Sequence, residues 1–400
     1  MQQNGTRFAL INGRVVTPDE VVLGQAVIVA GSTIAGIVPI AELDADIRRI
    51  DVNGRLIAPG LIDIHTHGAQ GHTFNEATAE AYGIITQENA RRGVTALLAT
   101  PATAPIADLV ACVAFSRQWM AGGHDGAQVL GVHLEGPYFS LPQAGAQDPA
   151  HVRNPDDGTP AQLLQDHEVI RMVSYAPELP GALDLTERLS ELGIVPAAGH
   201  SSAREEEVAQ AIERGLRHII HIWSAQSTTV REGPWRKPGL LEVSLVYDGL
   251  TVEMICDNKH LPPTLMKLAY KCIGPDRLCV ISDATSGAGL ADGSRYRMGE
   301  MEYEVHDGVG MVLDRSCFAG STTLLNEMIP VLTGSVGVPL PEAVRMASLT
   351  PAHVIGVADR KGSLEVGKDA DIAIFSEDFS AWRTLINGRW YGEPPVDAKR

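Results

Sequence analysis

Leu56-Ile57-Ala58-Pro59-Gly60-Leu61-Ile62-Asp63-Ile64-His65-Thr66-His67 is an apolar run that closes on two histidines one residue apart. Side chains alternate in direction along a strand, so His65 and His67 leave its end on the same side. Two neutral imidazoles so placed can grip one metal ion. A His-x-His tripeptide also arises by chance, and its meaning depends on what the rest of the chain supplies.

The rest of the chain supplies a repeating pattern. Strand-like runs fall at 60–65, 93–100, 128–134, 169–174, 193–199, 216–221, 249–256 and 277–283. Between them, segments such as 76–92, 103–121, 203–214 and 261–273 carry apolar residues at helical spacing. Eight strand–helix units predict a parallel (β/α)8 barrel of the TIM type, with a doubly wound open sheet as the alternative. No Gly-x-Gly-x-x-Gly follows the first run to support dinucleotide binding.

Outside this pattern the two ends echo each other. Leu10-Ile11-Asn12-Gly13-Arg14 recurs as Leu385-Ile386-Asn387-Gly388-Arg389, and both copies read as strand, tight Asn-Gly turn, strand. Short β-like runs crowd residues 7–57 and 363–392, and the middle lacks that density. The expected organisation is a small β-sandwich domain built from residues 1–57 and 359–400, with the barrel at 58–358 inserted between them. Residues 21–43 are apolar enough to raise the question of a membrane span, but Gln25, Gly31-Ser32-Thr33, Gly36 and Pro39 break the run into two short strands.

Polar residues stand where the apolar runs stop. His65 and His67 close the first run, Glu135 the third, His200 the fifth, His221 the sixth and Asp283 the eighth. In a barrel these ends converge on one face, where active sites are built. Histidine nitrogens with a carboxylate suit Zn²⁺ or a similar divalent transition ion. Such an ion acidifies water and polarises a carbonyl, and Asp283 can carry the water's proton to a leaving amine. The chemistry implied is metal-assisted hydrolysis of an amide or related bond. His133 and His218 lie inside apolar runs and read as packed residues rather than ligands.

Bulk properties narrow the partners. A formal net charge of −17 argues against nucleic acid and against an anionic membrane surface. The five cysteines form no Cys-x-x-Cys pair, which suggests reduced thiols and a cytoplasmic home. Met1-Gln2-Gln3-Asn4 has neither the basic start nor the apolar core of a leader.

Taken together, Ala58-Pro59-Gly60-Leu61-Ile62-Asp63-Ile64-His65-Thr66-His67-Gly68 resembles the opening of the amidohydrolase superfamily barrel. His133-Leu134-Glu135-Gly136-Pro137, Gly199-His200-Ser201 and Ser282-Asp283-Ala284 resemble, more narrowly, the N-acetylglucosamine-6-phosphate deacetylases. The likeness extends to the closing Gly362-Ser363-Leu364-Glu365-Val366-Gly367-Lys368-Asp369-Ala370-Asp371. The resemblance implies hydrolysis of the N-acetyl group of an amino-sugar 6-phosphate in amino-sugar catabolism. It assigns Glu135, His200 and His221 to a principal metal, His65 and His67 to a second one, and Asp283 to proton transfer. One or two ions per chain, Zn²⁺ first among the candidates, are implied. So is a homodimer, with His260 on the substrate and Arg236, seconded by Arg231, reaching phosphate from the neighbouring subunit.

The sequence departs from the family where substrate is bound. His221-Ile222-Trp223-Ser224-Ala225-Gln226 stands where members often carry His-Leu-Tyr/Phe-Asn-Ala-Met. Gln147 replaces a substrate-contacting histidine, and Asn258-Lys259 replace Gly-Leu before His260. The alternatives left open are another N-acetyl sugar (the galacto epimer or an unphosphorylated one), an N-acyl amino acid or cyclic amide, and a metal-free scaffold.

Overall fold

The computed structural model describes residues 7–395; Met1–Asn4, read above for a leader, lies outside them. Eight parallel strands form one sheet: β1 Leu61–Thr66, β2 Val94–Ala99, β3 Gln128–Glu135, β4 Ile170–Tyr175, β5 Val195–Ala198, β6 His218–Ile219, β7 Thr251–Ile255 and β8 Leu278–Ile281. Each lies beside its neighbour in sequence, from β1 through to β8. The ring closes just past the last strand, where Asp283 N donates to His65 O at 2.9 Å and Ala284 bridges to Thr66. All six residues of β1 are buried, as expected of a parallel strand covered on both faces. This is the (β/α)8 barrel, with every strand where an apolar run predicted one.

Helices return the chain between strands. Ala79–Arg91 follows β1, Ile106–Ala121 follows β2, Glu205–Glu213 follows β5 and Pro263–Ile273 follows β7. The first begins where Thr78 accepts a hydrogen bond from Ala81 N at 3.2 Å, satisfying one of the free amides of the opening turn. Gly60 sets the approach of the first two strands. A Cβ there would lie 2.1 Å from Thr95 Oγ1, so only glycine admits that contact.

The ends of the chain build two further sheets. One is four-stranded, ordered Thr33–Pro39, Gln25–Ala30, Arg7–Ile11, Arg48–Asp51. The other is six-stranded, ordered Arg389–Trp390, Ala381–Ile386, Ile372–Phe375, Leu56–Pro59, Arg14–Val16, Val21–Val22. Phe8, Leu10, Val27 and Ile50 of the first share one apolar cluster with Val15, Ile57, Ile372 and Leu385 of the second. The segment 21–43 forms short strands, and no helix among the described residues is long and apolar enough to cross a membrane.

Two expectations need correction. The repeated pentapeptide makes a hairpin only once. At Asn387-Gly388 both residues have positive φ, 51° and 72°, and Leu385 pairs with Trp390 across a tight turn. Asn12 also has positive φ, at 58°, but Gly13 does not. Arg7–Ile11 and Arg14–Val16 therefore diverge into different sheets, and Gly13 packs where a Cβ would meet Ile57 and Val52. The middle of the chain is also not free of short strands. Arg295–Met298, Met301–His306 and Val309–Val312 form an antiparallel meander, and Val230–Glu232 pairs with Trp235–Lys237. Arg295–Met298 and Met301–His306 intersperse buried with more exposed residues, and the hairpin strands at 230–237 are largely exposed, so a search for continuous apolar runs passes over them.

Candidate metal centre

Glu135 ends β3 and is the hub of the barrel mouth. Its Oε1 lies 3.0 Å from His221 Nε2, 3.2 Å from His200 Nε2 and 3.4 Å from His65 Nε2. Its Oε2 lies 3.4 Å from His67 Nε2. Asp283 places Oδ1 3.1 Å from His67 Nε2 and 3.7 Å from His65 Nε2. Six residues from widely separated parts of the sequence, His65 to Asp283, thus share one buried cluster.

Hydrogen bonds fix which nitrogen three of the four imidazoles offer. His67 Nδ1 donates to Thr100 O at 2.8 Å, and His200 Nδ1 donates to Gln143 O at 2.8 Å. A carbonyl only accepts, so these rings carry their proton on Nδ1 and point a lone pair of Nε2 at the cluster. His65 Nδ1 lies 2.7 Å from Glu253 Oε2 in the same arrangement. Its own Nε2 is buried and has no hydrogen-bond partner among the described residues. Donor atoms converge in two overlapping sets, His65–His67–Glu135 and Glu135–His200–His221, each within 4.8 Å. Neutral nitrogens and one carboxylate, with an orphaned buried nitrogen among them, fit a divalent transition ion.

The backbone is held in an uncommon region at three of these residues. His200, His221 and Asp283 have φ of 45°, 22° and 46°. Such conformations cost about 1–3 kcal/mol each and persist where surrounding structure enforces them. Here they turn the side chains inward just as the strands stop. Charge is balanced inside the cluster in the ion-free state. Burial disfavours the charged form of Glu135, but the surrounding imidazoles of His65, His200 and His221 outweigh it and hold its carboxyl well below the usual range. Burial likewise opposes charge on His65, and the carboxylates of Glu253 and Glu135 reverse this and push its pKa well up. Asp283 is held below the ordinary carboxylate range against burial, chiefly by its hydrogen bond to His67.

The cluster opens into a cavity of about 500 Å³. Of the residues expected to meet substrate, Gln147, Ser224, Ala225 and His260 line it. Gln147 accepts from Thr103 N at 2.9 Å and donates to Glu135 Oε2 through its amide. His260 is set by Asp257, whose Oδ2 lies 2.7 Å from its Nδ1. Arg231 and Arg236 are not brought to this cavity. They pair across the exposed hairpin at 230–237, where Arg231 Nε donates to Gly233 O and Arg236 Nη1 to Pro234 O.

Several residues of the site escaped sequence reasoning. Trp223, Tyr303, Arg315 and Phe318 also line the cavity, the last three from the overlooked meander and its exit. Glu253 and Asp63 are buried carboxylates inside the barrel. Asp63 accepts from His65 N at 3.3 Å and Ser282 N at 3.2 Å, tying the first strand to the last, and burial raises its pKa to about 6. A charged residue within an apolar run was the available signal for both. His133 is packed as expected: its Nδ1 donates to Ile64 O at 3.1 Å, its Nε2 lies 2.6 Å from Ser174 Oγ, and burial lowers its pKa to about 3.

Comparison with known proteins shows the family. The pattern of the Amidohydrolase family matches residues 56–391, and that of the NagA composite domain matches residues 7–57. The N-acetylglucosamine-6-phosphate deacetylase of Vibrio furnissii is 36% identical over 83% of this chain and 82% of its own. The N-acetylgalactosamine-6-phosphate deacetylase of Escherichia coli O157:H7 is 31% identical over 90% of this chain and 93% of its own. The crystal structure of N-acetylglucosamine-6-phosphate deacetylase from Pasteurella multocida superposes with a TM-score of 0.90 at 30% identity, covering 96% of this chain and 99% of that one. The chain belongs to the amidohydrolase family and, within it, to the N-acetylglucosamine-6-phosphate deacetylases.

Proposed function

We propose that the chain hydrolyses the N-acetyl group of an amino-sugar 6-phosphate, converting N-acetylglucosamine 6-phosphate to glucosamine 6-phosphate and acetate. The observation that carries the reading is the convergence of His65, His67, Glu135, His200 and His221 with Asp283 at one barrel mouth. Glu135, His200 and His221 would hold a principal divalent ion, with Zn²⁺ the choice for this donor set, and His65 and His67 with Glu135 a second. Bound there, such an ion polarises the amide carbonyl and acidifies water.

The chain's own groups account for the proton. Water adds to the acetyl carbon and loses a proton to the Asp283 carboxylate. Asp283 then gives that proton to the sugar nitrogen as the carbon–nitrogen bond breaks. Gln147, Ser224, Ala225 and His260, which line the cavity, would orient the sugar beside Asp283.

The homodimer belongs to this reading. The hairpin at 230–237 concentrates Arg231, Arg236 and Lys237 in an acidic chain, and its Trp235 is 72% exposed. An arginine fork delivered from a neighbouring subunit would bind the 6-phosphate in two bonds. We also propose that residues 7–57 and 359–395 act as one small β-sandwich domain, and that the protein works in the cytoplasm, as its five free cysteines suggest.

The test is an acetate-release screen of N-acetyl amino sugars with and without 6-phosphate. Fast release from N-acetylglucosamine 6-phosphate supports the reading. Ser224 and Gln147 leave room for another N-acetyl sugar, and the 31% identity to an N-acetylgalactosamine-6-phosphate deacetylase makes the galacto epimer the second reading. Preference for that epimer in the same screen would select it. No release from any N-acetyl amino sugar would remove both.

A further inference from the structure

One buried carboxylate in the barrel has no part in the reaction above. Glu253 sits on β7 with no exposed surface. A buried carboxylate is tolerated only when its oxygens are bonded, and those of Glu253 go to three histidines. Oε2 lies 2.7 Å from His65 Nδ1 and accepts from His221 N at 3.3 Å. Oε1 lies 3.1 Å from His218 Nε2, whose Nδ1 in turn lies 2.7 Å from Thr251 Oγ1.

The Nδ1 partner separates His65 from His67 and His200, while His221 Nδ1 has none among the described residues. His67 and His200 are anchored through Nδ1 by neutral carbonyl oxygens. His65 is anchored by a full carboxylate. An ionised carboxylate only accepts, so His65 keeps its proton on Nδ1 and offers the Nε2 lone pair towards Glu135, 3.4 Å away. A carboxylate behind a histidine also raises the basicity of the ligating nitrogen.

We propose that Glu253 is the positioning residue that commits His65 to metal ligation, and so decides whether the His65–His67–Glu135 position holds an ion. The assignment rests on the proposed reading only in taking the cluster as a metal site. A carboxylate that merely neutralised a buried histidine would affect thermal stability. It would not act on one ion and spare the other.

The experiment counts ions without substrate. Wild-type protein, Glu253→Gln, His65→Asn and the double variant are loaded with Zn²⁺, dialysed and analysed for zinc per chain, with competition titration for each affinity. Wild-type should hold two ions. Glu253→Gln should weaken the second by about 10–100-fold and leave the first unchanged. The double variant should be no worse than His65→Asn alone. Unchanged affinity for both ions in Glu253→Gln, or equal weakening of both, overturns the assignment. Should Glu253→Gln fail to fold, histidine-labelled wild-type protein with zinc bound still decides by NMR. The His65 ring, identified by its loss in His65→Asn, should carry its proton on Nδ1; a proton on Nε2 overturns the assignment. Because substrate is absent, two bound ions without acetate release would count against the reaction and not against Glu253.

Discussion

The barrel mouth and the hairpin at 230–237 are built on opposite plans. At the mouth, His65, His67, Glu135, His200, His221 and Asp283 are buried and bonded to one another or to backbone of the same chain. On the hairpin, Arg231 and Arg236 are exposed, and among the described residues their side chains bond only to carbonyls two residues away. On the proposed reading the chemistry would be completed within one chain, and recognition of the phosphate would fall to hairpin side chains of a neighbouring subunit. Substitutions in the two regions should therefore fail in different ways.

Removing metal tests the mouth most severely. Chelation should abolish acetate release, and added Zn²⁺ should restore it; full turnover in protein shown to be metal-free would end the comparison on its first side. Asp283→Asn comes next. An amide of the same shape takes no proton from water, and general acid–base groups contribute about 10²–10⁴-fold. We expect kcat to fall by that range with zinc content nearly intact, and a loss of only a few-fold would remove Asp283 from proton transfer.

The hairpin should give smaller and more selective effects. Arg236→Ala should raise KM about tenfold or more for the 6-phosphate substrate and little for its unphosphorylated analogue, since only the former loses a charge-assisted bond. Equal effects on both substrates would deny the arginine its phosphate. Trp235→Ser should be the mildest. A surface substitution away from packed features stays within about 0.5 kcal/mol in stability. Sedimentation should nevertheless show the dimer separating at higher protein concentration than wild-type. A dimer indifferent to that change would place the interface on another face.

Legibility in the sequence followed the same division. The eight barrel strands could be read because parallel strands buried on both faces are continuous apolar runs. The six polar residues could be read because each interrupts such a run at its end. Glu253 could not be read in this way, as it sits inside its run rather than at the end. The positive φ of His200, His221 and Asp283 has no signature in residue type, because a histidine in that conformation is enforced by its surroundings. The identical pentapeptides at 10–14 and 385–389 took different forms because Gly13 is packed against Ile57 and Val52, a contact made between distant segments. Local signals fixed local structure only where no distant partner competed.

The run that opens at Leu56 has one more consequence. Its first four residues lie between Arg14–Val16 and Ile372–Phe375, with Pro59 paired to Ile372. On a ribosome, the N-terminal neighbour is present at once, but the C-terminal one emerges roughly 300 residues later, about 15–60 s at ordinary rates of synthesis. Throughout that interval Leu56–Pro59 is an apolar strand with one open edge, the kind of edge that recruits foreign strands. That edge closes only when Ile372–Phe375 arrives, and a premature stop before residue 372 would leave it open.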